Sequence, residues 1–265
     1  MRALLLDLDG VVYQGEQPIP GAADALAWIR AKAIPHLFVT NTSSRPRSAL
    51  CDKLARMGIE VQADALLTPP AAAARWLKAN SEGPVALFVA EATRTEFEGL
   101  PLWDGDESRP VAAVVVGDLG EGWTFQRLNQ AFRCLTSTPD TRLIALGMTR
   151  YWRSDQGLVL DTGPFVAALQ YASGVEPLVI GKPAPAFFRA GAEALGVEAG
   201  ELWMIGDDIR GDVEGAQKAG LKGVLVRTGK FQPRDLEGDV RPDAVLDSIA
   251  DLPRWWQESA DAGTQ

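Results

Sequence analysis

Alternation of strand-like and helix-like segments at both ends of the chain is the feature that most constrains the fold. At the start, the apolar run "ALLLDLD" is followed by "GAADALAWIRAKA", in which Ala22, Leu26 and Ile29 recur at helical spacing. A second strand, "PHLFVTN", and a second helix, "RPRSALCDKLARMG", come next. Near-continuous apolar strands that alternate with helices are typical of parallel sheets covered on both faces. The sequence therefore predicts an α/β fold built on a parallel sheet.

The same alternation returns after residue 176, in "PLVIG", "APAFFRAGAEALG", "ELWMIGDD", "GDVEGAQKAG" and "KGVLVRTG". Residues 82–176 contain further strand and helix patterns, separated by longer loops that hold several tryptophans. We interpret residues 1–81 and 177–265 as two parts of one core domain, and 82–176 as a second α/β domain inserted into it. One large continuous sheet is the alternative interpretation.

Charge and composition exclude several classes of partner. The chain has 26 basic and 35 acidic residues, a formal net charge of -9, and no run rich in lysine and arginine. A nucleic acid or an anionic membrane surface is normally bound by a clustered basic patch, so we expect neither partner. The sequence shows no apolar run of spanning length, Met1 leads directly into the first strand, and Cys51 and Cys134 lie far apart in apolar segments. These features predict a cytoplasmic protein with reduced cysteines.

The single histidine, His36, limits the chemistry. It lies where a strand is predicted to begin, which leaves no histidine for a catalytic triad and too few ligands for a zinc site. The "RTGKF" segment has a Gly-Lys pair but lacks the upstream glycine and the following hydroxyl of a nucleotide phosphate-binding loop. Catalysis would therefore depend on carboxylates, lysine and hydroxyls.

Such residues follow the predicted strands of the core. Because ligands bind at the carboxyl ends of strands in open parallel sheets, these residues are the candidate site. In chain order they are Asp7 and Asp9, then Thr40, Asn41 and Thr42, then Lys182, and then Asp207, Asp208 and Asp212.

The stretch "LLLDLDGVVYQG" places two carboxylates one residue apart at the end of a buried strand. Side chains alternate in a strand, so Asp7 and Asp9 are expected on one face, where their repulsion requires a nearby cation. An ordinary Asp-Gly turn is the alternative. The other candidates have alternatives as well: Asp207 and Asp208 could cap a helix, and Lys182 could be a solvated loop residue.

Together the candidates predict phosphoryl transfer. Asp7, Asp9 and Asp207 offer hard oxygen ligands to Mg²⁺, and Lys182 would reduce the repulsion between a carboxylate and a phosphate. An aspartate could then attack phosphorus while the second aspartate exchanges a proton with the leaving group and with water. Thr40 and the backbone around Asn41 could bind phosphoryl oxygens.

The segments "DLDGVVY", "FVTNTS", "VIGKPAPAFF" and "MIGDDIRGDV" resemble the four ordered motifs of the haloacid-dehalogenase-like (HAD-like) phosphatase superfamily. The insert between the second and third motifs resembles the α/β cap of the class with large C2 caps. The resemblance covers nearly the whole chain. It implies a Rossmann-like core, a cap above the site, a small phosphorylated substrate and a homodimer that forms through the cap.

The resemblance also implies a role for each motif residue. Asp7 would be the nucleophile that forms an aspartyl-phosphate, and Asp9 the general acid and base, which also offers its carbonyl to the metal. Thr40, with Asn41 and Thr42, would bind the substrate phosphate, and Lys182 would neutralise charge. The remaining implied roles are those of Asp207 as metal ligand and of Asp208 and Asp212 as supporting carboxylates.

One departure from the class concerns Asp9. Members that cleave pyrophosphate look to have a non-acidic residue there, whereas ordinary phosphate esters need a proton donor for their leaving group. We therefore expect small phosphate esters as substrates. Pyrophosphate or phosphoramidate cleavage, of phospholysine or phosphohistidine, is one alternative, and a non-catalytic regulator that binds phosphate or metal is the other.

Overall fold

The structure is a computed structural model that describes residues 2–154 and 157–262. The chain forms two compact units. The first comprises Met1–Thr40, Cys51–Leu67 and Lys182–Gln265, and the second comprises Asn41–Leu50 and Thr68–Gly181. The units are groups of residues that pack together, and each unit combines separate stretches of the chain. The predicted boundaries of an inserted domain at residues 82 and 176 therefore stay a prediction.

A parallel sheet of six strands forms the centre of the first unit. The strands are β1 (Ala3–Asp7), β4 (His36–Val39), β5 (Leu66–Leu67), β12 (Leu202–Gly206), β13 (Lys222–Val226) and β14 (Ala244–Leu246). They lie in the order β14-β13-β12-β1-β4-β5. β1 and β12 are buried along their whole length, as expected of central strands with helices on both faces. This sheet confirms the predicted α/β fold with a parallel core.

A short antiparallel hairpin of β2 (Tyr13–Gln14) and β3 (Gln17–Pro18) follows β1. The helices of the first unit are α1 (Ala22–Ala31), α6 (Pro185–Leu195), α7 (Gly215–Lys218) and α8 (Leu252–Ala262), while α2 (Arg47–Arg56) begins in the second unit and ends in the first. α6 packs closely on the sheet, because a Cβ on its Gly191 would lie 3.1 Å from the side chain of Leu5.

The second unit contains its own parallel sheet of β6 (Val85–Phe88), β7 (Ala113–Val116), β8 (Arg142–Ala145) and β11 (Pro177–Val179). The strands lie in the order β11-β8-β7-β6. The helices of this unit are α3 (Pro69–Asn80), α4 (Phe125–Leu135) and α5 (Thr162–Ser173). An antiparallel hairpin, β9 (Tyr151–Ser154) and β10 (Gly157–Leu160), precedes α5. The alternative of a single continuous sheet is therefore wrong.

The assignment of "PLVIG" to the core sheet is also wrong. Pro177–Val179 pair in parallel with Leu143–Ala145, which places this strand at the edge of the second sheet. Its three residues are only half-buried, unlike those of the central strands β1 and β12. A short apolar run indicates a strand, but its hydrogen-bonding partner is set by contacts distant in sequence.

Among the described residues, no helix has both the length and the apolar character needed to cross a membrane.

Candidate active site

The carboxyl edge of the first sheet carries three of the predicted residues. Asp7 is the last residue of β1, Thr40 follows β4, and Asp207 follows β12. All three are buried, as are Lys182 and Asp212. Because β12, β1 and β4 are neighbours in the sheet, their ends meet at one edge, as the strand pattern predicted.

Lys182 links two of the carboxylates. Its Nζ lies 2.8 Å from Asp7 Oδ1 and 2.7 Å from Asp212 Oδ1, and its side chain is 6% exposed. Burial works to lower the pKa of the lysine, but Asp212 and Asp7 more than offset it, so the pKa is raised and the ammonium stays charged. The alternative of Lys182 as a solvated loop residue is thus wrong.

Asp212 lies within a wide, π-helical turn, Ile209–Glu214, that follows β12. One of its oxygens accepts from Lys182, and the other accepts from the backbone N–H of Asp208 at 3.1 Å. Burial raises the pKa of Asp212 to about 6. With both oxygens engaged by the protein, Asp212 is placed to hold Lys182 in position.

Asp207 is bound differently. Its Oδ2 accepts from the backbone N–H of Lys230 at 2.7 Å, whereas its Oδ1 is buried and has no hydrogen-bond partner in the described part of the chain. Burial raises the pKa of this carboxyl to about 6. A buried carboxylate oxygen without a partner is costly, and a cation would satisfy it.

The residues present fit a divalent cation. One oxygen from each of Asp7, Asp207 and Asp212 lies within 4.8 Å of the others, all three residues are buried, and burial raises the pKa of Asp7 as well. Carboxylate oxygens are the ligands that Mg²⁺ prefers, and the unpartnered Oδ1 of Asp207 is available to it. Asp7 and Asp207 are therefore the candidate metal ligands of this cluster, since both oxygens of Asp212 already accept from Lys182 and from the Asp208 N–H.

Asp208 caps the turn that follows β12. Its Oδ1 accepts from the backbone N–H groups of Arg210 and Gly211 at 3.0 and 2.8 Å, and Lys230 Nζ lies 3.3 Å from its Oδ2. Burial works to raise the pKa of Asp208, but the Gly211 N–H and Lys230 more than offset it, and the pKa is lowered. Helix capping, proposed as an alternative for both aspartates, therefore describes Asp208 and not Asp207.

Asp9 lies outside the strand, contrary to the alternation argument. β1 ends at Asp7, so the rule that alternate side chains share a face does not reach Asp9. The backbone turns at Gly10, which has a φ of 86°, and Asp9 forms an isolated bridge with Tyr13. Asp7 is buried whereas Asp9 is exposed, and Asp9 is not one of the three clustered carboxylates.

The predicted phosphate-binding residues divide between the two units. Thr40 is buried in the first unit, and its backbone N–H donates to the carbonyl of Leu67 at 3.3 Å. Asn41 and Thr42 belong to the second unit. Their role in binding phosphate stays a prediction.

Sequence reasoning missed Lys230. Burial works to lower its pKa, but Asp208, Asp207 and more distant carboxylates raise it overall. The only local signal is the Gly-Lys pair of "RTGKF", which lacks the other residues of a nucleotide phosphate-binding loop. Its actual place, beside the carboxylates that follow β12, depends on β13 being paired with β12.

Comparison with known families agrees with this site. The family profile described as haloacid dehalogenase-like hydrolase matches residues 4–102, and the profile described as HAD-hydrolase-like matches residues 179–252. The first match includes Asp7, and the second includes Lys182, Asp207 and Asp212.

Curated relatives match over nearly the full length. The chain is 40% identical over 256 residues to phospholysine phosphohistidine inorganic pyrophosphate phosphatase of Bos taurus, covering 95% of this chain and 92% of that protein. It is 37% identical over 246 residues to haloacid dehalogenase-like hydrolase domain-containing protein 2 of Bos taurus, covering 93% and 91%. The chain therefore belongs to the haloacid-dehalogenase-like hydrolase family.

Solved structures narrow the class. A 4-nitrophenylphosphatase from Thermotoga maritima is 30% identical with a TM-score of 0.84, covering 96% of this chain and 97% of that one. A p-nitrophenyl phosphatase from Archaeoglobus fulgidus is 28% identical with a TM-score of 0.85, covering 96% and 98%. The chain is accordingly a HAD-family phosphatase, that is, a phosphoric monoester hydrolase, and these nitrophenyl phosphatases are its structural neighbours.

Proposed function

We propose that this protein is a Mg²⁺-dependent phosphatase that hydrolyses small phosphate esters through an aspartyl-phosphate on Asp7. The observation that carries the proposal is the buried lysine between two carboxylates, with Lys182 Nζ 2.8 Å from Asp7 and 2.7 Å from Asp212. A buried cation beside a nucleophilic carboxylate reduces the repulsion that an incoming phosphate would meet. The family and its phosphatase members support the same reaction.

In the first step Asp7 attacks phosphorus. Its Oδ1 already accepts from Lys182 Nζ and from the backbone N–H of Leu8, both at 2.8 Å, so we assign the attack to the other carboxylate oxygen. The bond from that oxygen to phosphorus forms while the bond from phosphorus to the leaving oxygen breaks. Mg²⁺, when bound by the Asp7 and Asp207 side chains and the Asp9 carbonyl, would stabilise the negative charge on the phosphoryl oxygens.

Asp9 is the proposed general acid and base. In the first step its carboxyl donates a proton to the leaving oxygen, and in the second its carboxylate accepts a proton from the water that attacks phosphorus. The bond between Asp7 and phosphorus then breaks and phosphate is released. The exposure of Asp9, two residues after the buried nucleophile, supports a role in which it meets both a leaving group and water.

The substrate phosphate would be bound by Thr40, Asn41, Thr42 and Lys182. The Thr40 hydroxyl and the backbone N–H groups of this segment are donors suited to phosphoryl oxygens. Asp208 and Asp212 would support the site without touching substrate. Their contacts favour that assignment, since Asp208 caps a turn and Asp212 binds Lys182.

The experiment that tests the proposal is phosphate release from a substrate panel, with Mg²⁺ and with EDTA. The panel holds p-nitrophenyl phosphate, small phosphate monoesters, pyrophosphate and a phosphoramidate. We expect turnover of monoesters with Mg²⁺ alone, and a loss of about 10³-fold or more in kcat in Asp7→Asn. Asp24→Asn, an exposed change in α1 of the same unit, is the matched control and should keep normal turnover.

Two results would contradict this function. Undiminished turnover in Asp7→Asn would exclude the aspartyl-phosphate route. No turnover of any compound by folded protein that binds Mg²⁺ and phosphate would favour the non-catalytic regulator.

Pyrophosphate and phosphoramidates are the second candidate substrates, because a relative named for them is 40% identical over 95% of this chain. The panel separates the two candidates by kcat/KM. The acid role of Asp9 predicts that Asp9→Ser selectively loses esters with poor leaving groups, such as alkyl phosphates. It should retain p-nitrophenyl phosphate better, since the nitrophenolate leaves without a proton.

A homodimer formed through the second unit is also proposed. The large apolar side chains that are exposed in the described part of the chain all lie in this unit, among them Phe125, Trp152, Leu158, Leu160 and Tyr171. Concentrated apolar exposure supports an interface. Light scattering on the wild type and on Trp152→Ser/Leu160→Ser tests it: a monomeric wild type would contradict the dimer.

A cytoplasmic location, with a small phosphorylated molecule and not a nucleic acid or a membrane as partner, completes the proposal. The net charge of -9 supports the absence of nucleic-acid and anionic-membrane partners, because both are polyanionic. Cell fractionation with a tagged full-length chain tests the location, and recovery in the membrane fraction would contradict it.

A further inference from the structure

The loops that follow β1 and β13 meet above the end of β12. In the sheet, β12 lies between these two strands, and adjacent strands are about 4.8 Å apart, so β1 and β13 are roughly 10 Å from each other. Beyond the strand ends, however, the Thr228 hydroxyl donates a hydrogen bond to the Gly10 carbonyl. A Cβ added to Gly229 would lie 2.6 Å from the Cα of Gly10. The two loops therefore close over the residue that follows β12.

That residue is Asp207, and the two glycines enclose one of its oxygens. A Cβ added to Gly10 or to Gly229 would lie 2.0 Å from Asp207 Oδ2. Both glycines also have positive φ, 86° and 61°, which other residues rarely adopt. The Lys230 N–H donates to the same oxygen at 2.7 Å. We name this arrangement of Gly10, Thr228, Gly229 and the Lys230 N–H the glycine clasp.

The clasp treats the two oxygens of Asp207 unequally. Oδ2 is surrounded by backbone and accepts a hydrogen bond, while Oδ1 is buried without a partner among the described residues. The two oxygens of a carboxylate are chemically equivalent, so a half-turn restores the same arrangement, but a partial rotation would press an oxygen against Gly10 or Gly229 and break the hydrogen bond from the Lys230 N–H. The carboxylate is thereby held in one orientation.

We propose that the glycine clasp positions Asp207 so that its Oδ1 is presented to the Mg²⁺ of the proposed site. The residues of the clasp are positioning residues, since they act on the cation only through Asp207. The inference rests on the proposed function, because it assumes that the clustered carboxylates bind Mg²⁺. It predicts that metal affinity depends on residues that do not touch the metal.

The test compares alanine substitutions at two glycines that have the same positive φ. Gly229 and Gly15 both have a φ of 61°, but a Cβ on Gly15 would meet nothing within 4 Å. Gly15 lies between β2 and β3, in the same unit. Gly15→Ala therefore places an alanine at the same positive φ as Gly229→Ala, without the collision at Asp207.

The readout is Mg²⁺ binding without substrate, as a Kd from calorimetry and as the rise in Tm on adding Mg²⁺ to metal-free protein. We expect Gly229→Ala to weaken the Kd by about 10- to 100-fold, as losses of groups that orient metal ligands do. Gly15→Ala should lower the Tm but keep the Kd within about twofold. Wild-type affinity in Gly229→Ala would overturn the inference, as would equal losses in the two variants.

A milder variant serves if Gly229→Ala does not fold. Thr228→Val removes the hydroxyl that ties the two loops while keeping the side-chain shape, and we expect a Kd weakened by about threefold, restored in Thr228→Ser. If Gly229→Ala does not fold, an unchanged Kd in Thr228→Val would overturn the inference while leaving the proposed function intact. Absence of Mg²⁺ binding in the wild type would overturn the metal-dependent function itself, and the inference with it.

Discussion

Two parallel sheets in one chain have opposite chemistry at their carboxyl edges. In the first unit β1 ends in the buried Asp7, which pairs with the buried Lys182, and β12 is followed by the buried Asp207, which clusters with Asp7. In the second unit the residues directly after β6, β8 and β11 are Val89, Leu146 and Ile180, all buried. Parallel topology therefore supplies an edge where a site can form, and the residues at the strand ends decide whether one does.

Glycines at the two edges show the same contrast. Gly10 and Gly229 leave room for the Asp207 carboxylate, whereas Gly117, directly after β7, leaves room for hydrocarbon. A Cβ on Gly117 would lie 2.8 Å from Leu146 Cδ1 and 3.2 Å from Val89 Cγ1. The second edge is closed by apolar packing, so we expect changes there to affect stability and changes at the first edge to affect metal binding and turnover.

The largest effect is expected from Lys182→Met. Removing the ammonium leaves Asp7 and Asp212 buried without their cation, which destabilises the fold by about 3–5 kcal/mol. It also removes the charge that offsets repulsion of phosphate, so kcat should fall by about 10²-fold or more. Urea unfolding in EDTA and p-nitrophenyl phosphate turnover with Mg²⁺ measure the two effects.

The matched control is an ion pair of the second unit. Arg133 Nη1 lies 2.8 Å from Glu107 Oε2, but both side chains are substantially exposed, so Arg133→Met should cost less than about 1 kcal/mol. Adding Asp212→Asn to Lys182→Met should restore part of the lost stability, because one uncompensated carboxylate is removed. Similar losses in Lys182→Met and Arg133→Met would break the contrast between the two regions.

The next effect concerns pH and Asp207. Its pKa in the folded metal-free protein is raised by burial to about 6, from an ordinary value of 3.8. Between these values the native state binds more protons than the unfolded state, so this residue's contribution to stability falls as pH rises from about 4 to about 6. Asparagine has no carboxyl to titrate. In EDTA, the free energy of unfolding of Asp207→Asn should therefore rise by about 1–2 kcal/mol relative to that of wild type as the pH increases from about 4 to about 6.

Urea unfolding of both proteins at pH 4, 5, 6 and 7 measures this difference. With Mg²⁺ at pH 7 the wild type should instead be the more stable of the two proteins, because only the wild type is stabilised by binding the cation. A difference that does not change with pH in EDTA would contradict the raised pKa. If Asp207→Asn stays more stable than wild type when Mg²⁺ is present, Asp207 is not a metal ligand.

Much of the first edge could be predicted from sequence because its residues directly follow strands. Asp7 and Asp207 come at the ends of uninterrupted apolar runs, and the order of strands and helices was enough to bring them to one edge. Lys182 does lie beside Asp7, as predicted, but the reason given for this, that it follows a strand of the core sheet, was wrong. Lys182 follows β11, which belongs to the second sheet.

What could not be predicted depends on contacts between distant segments. The clasp requires β13 to pair with β12, so that Gly229 and Lys230 reach Asp207, and nothing local to "RTGKF" indicates this pairing. The exposure of Asp9 depends on the strand ending at Asp7, whereas the apolar alternation in the sequence continues to Asp9. Strand ends and partners are set by the whole sheet, whereas periodicity reports only local geometry.

A smaller effect is expected from Gly117→Ala at the apolar edge. The added methyl would crowd Leu146 and Val89, and this overpacking should cost about 1 kcal/mol, since the Leu146 side chain can shift by part of the overlap. Mg²⁺ affinity should stay within about twofold of wild type. Urea unfolding measures the stability and calorimetry measures the Mg²⁺ Kd. A Kd weakened as much as in Gly229→Ala would contradict the view that Gly117 affects only packing.

The smallest effect is expected from Asp118→Asn, the sharpest test of the comparison. Asp118 follows β7 much as Asp207 follows β12, and burial raises the pKa of both carboxyls. Yet Asp118 is only half-buried, its Oδ1 accepts from the Gly120 N–H at 3.0 Å, and it is not one of the clustered carboxylates. An asparagine keeps that acceptor, so stability should change by less than about 1 kcal/mol and kcat by less than about threefold. Loss of Mg²⁺ binding or turnover comparable to that of Asp207→Asn would mean that the second edge contributes to the chemistry, and that a raised carboxyl pKa after a parallel strand matters more than the lysine and the clustered carboxylates beside it.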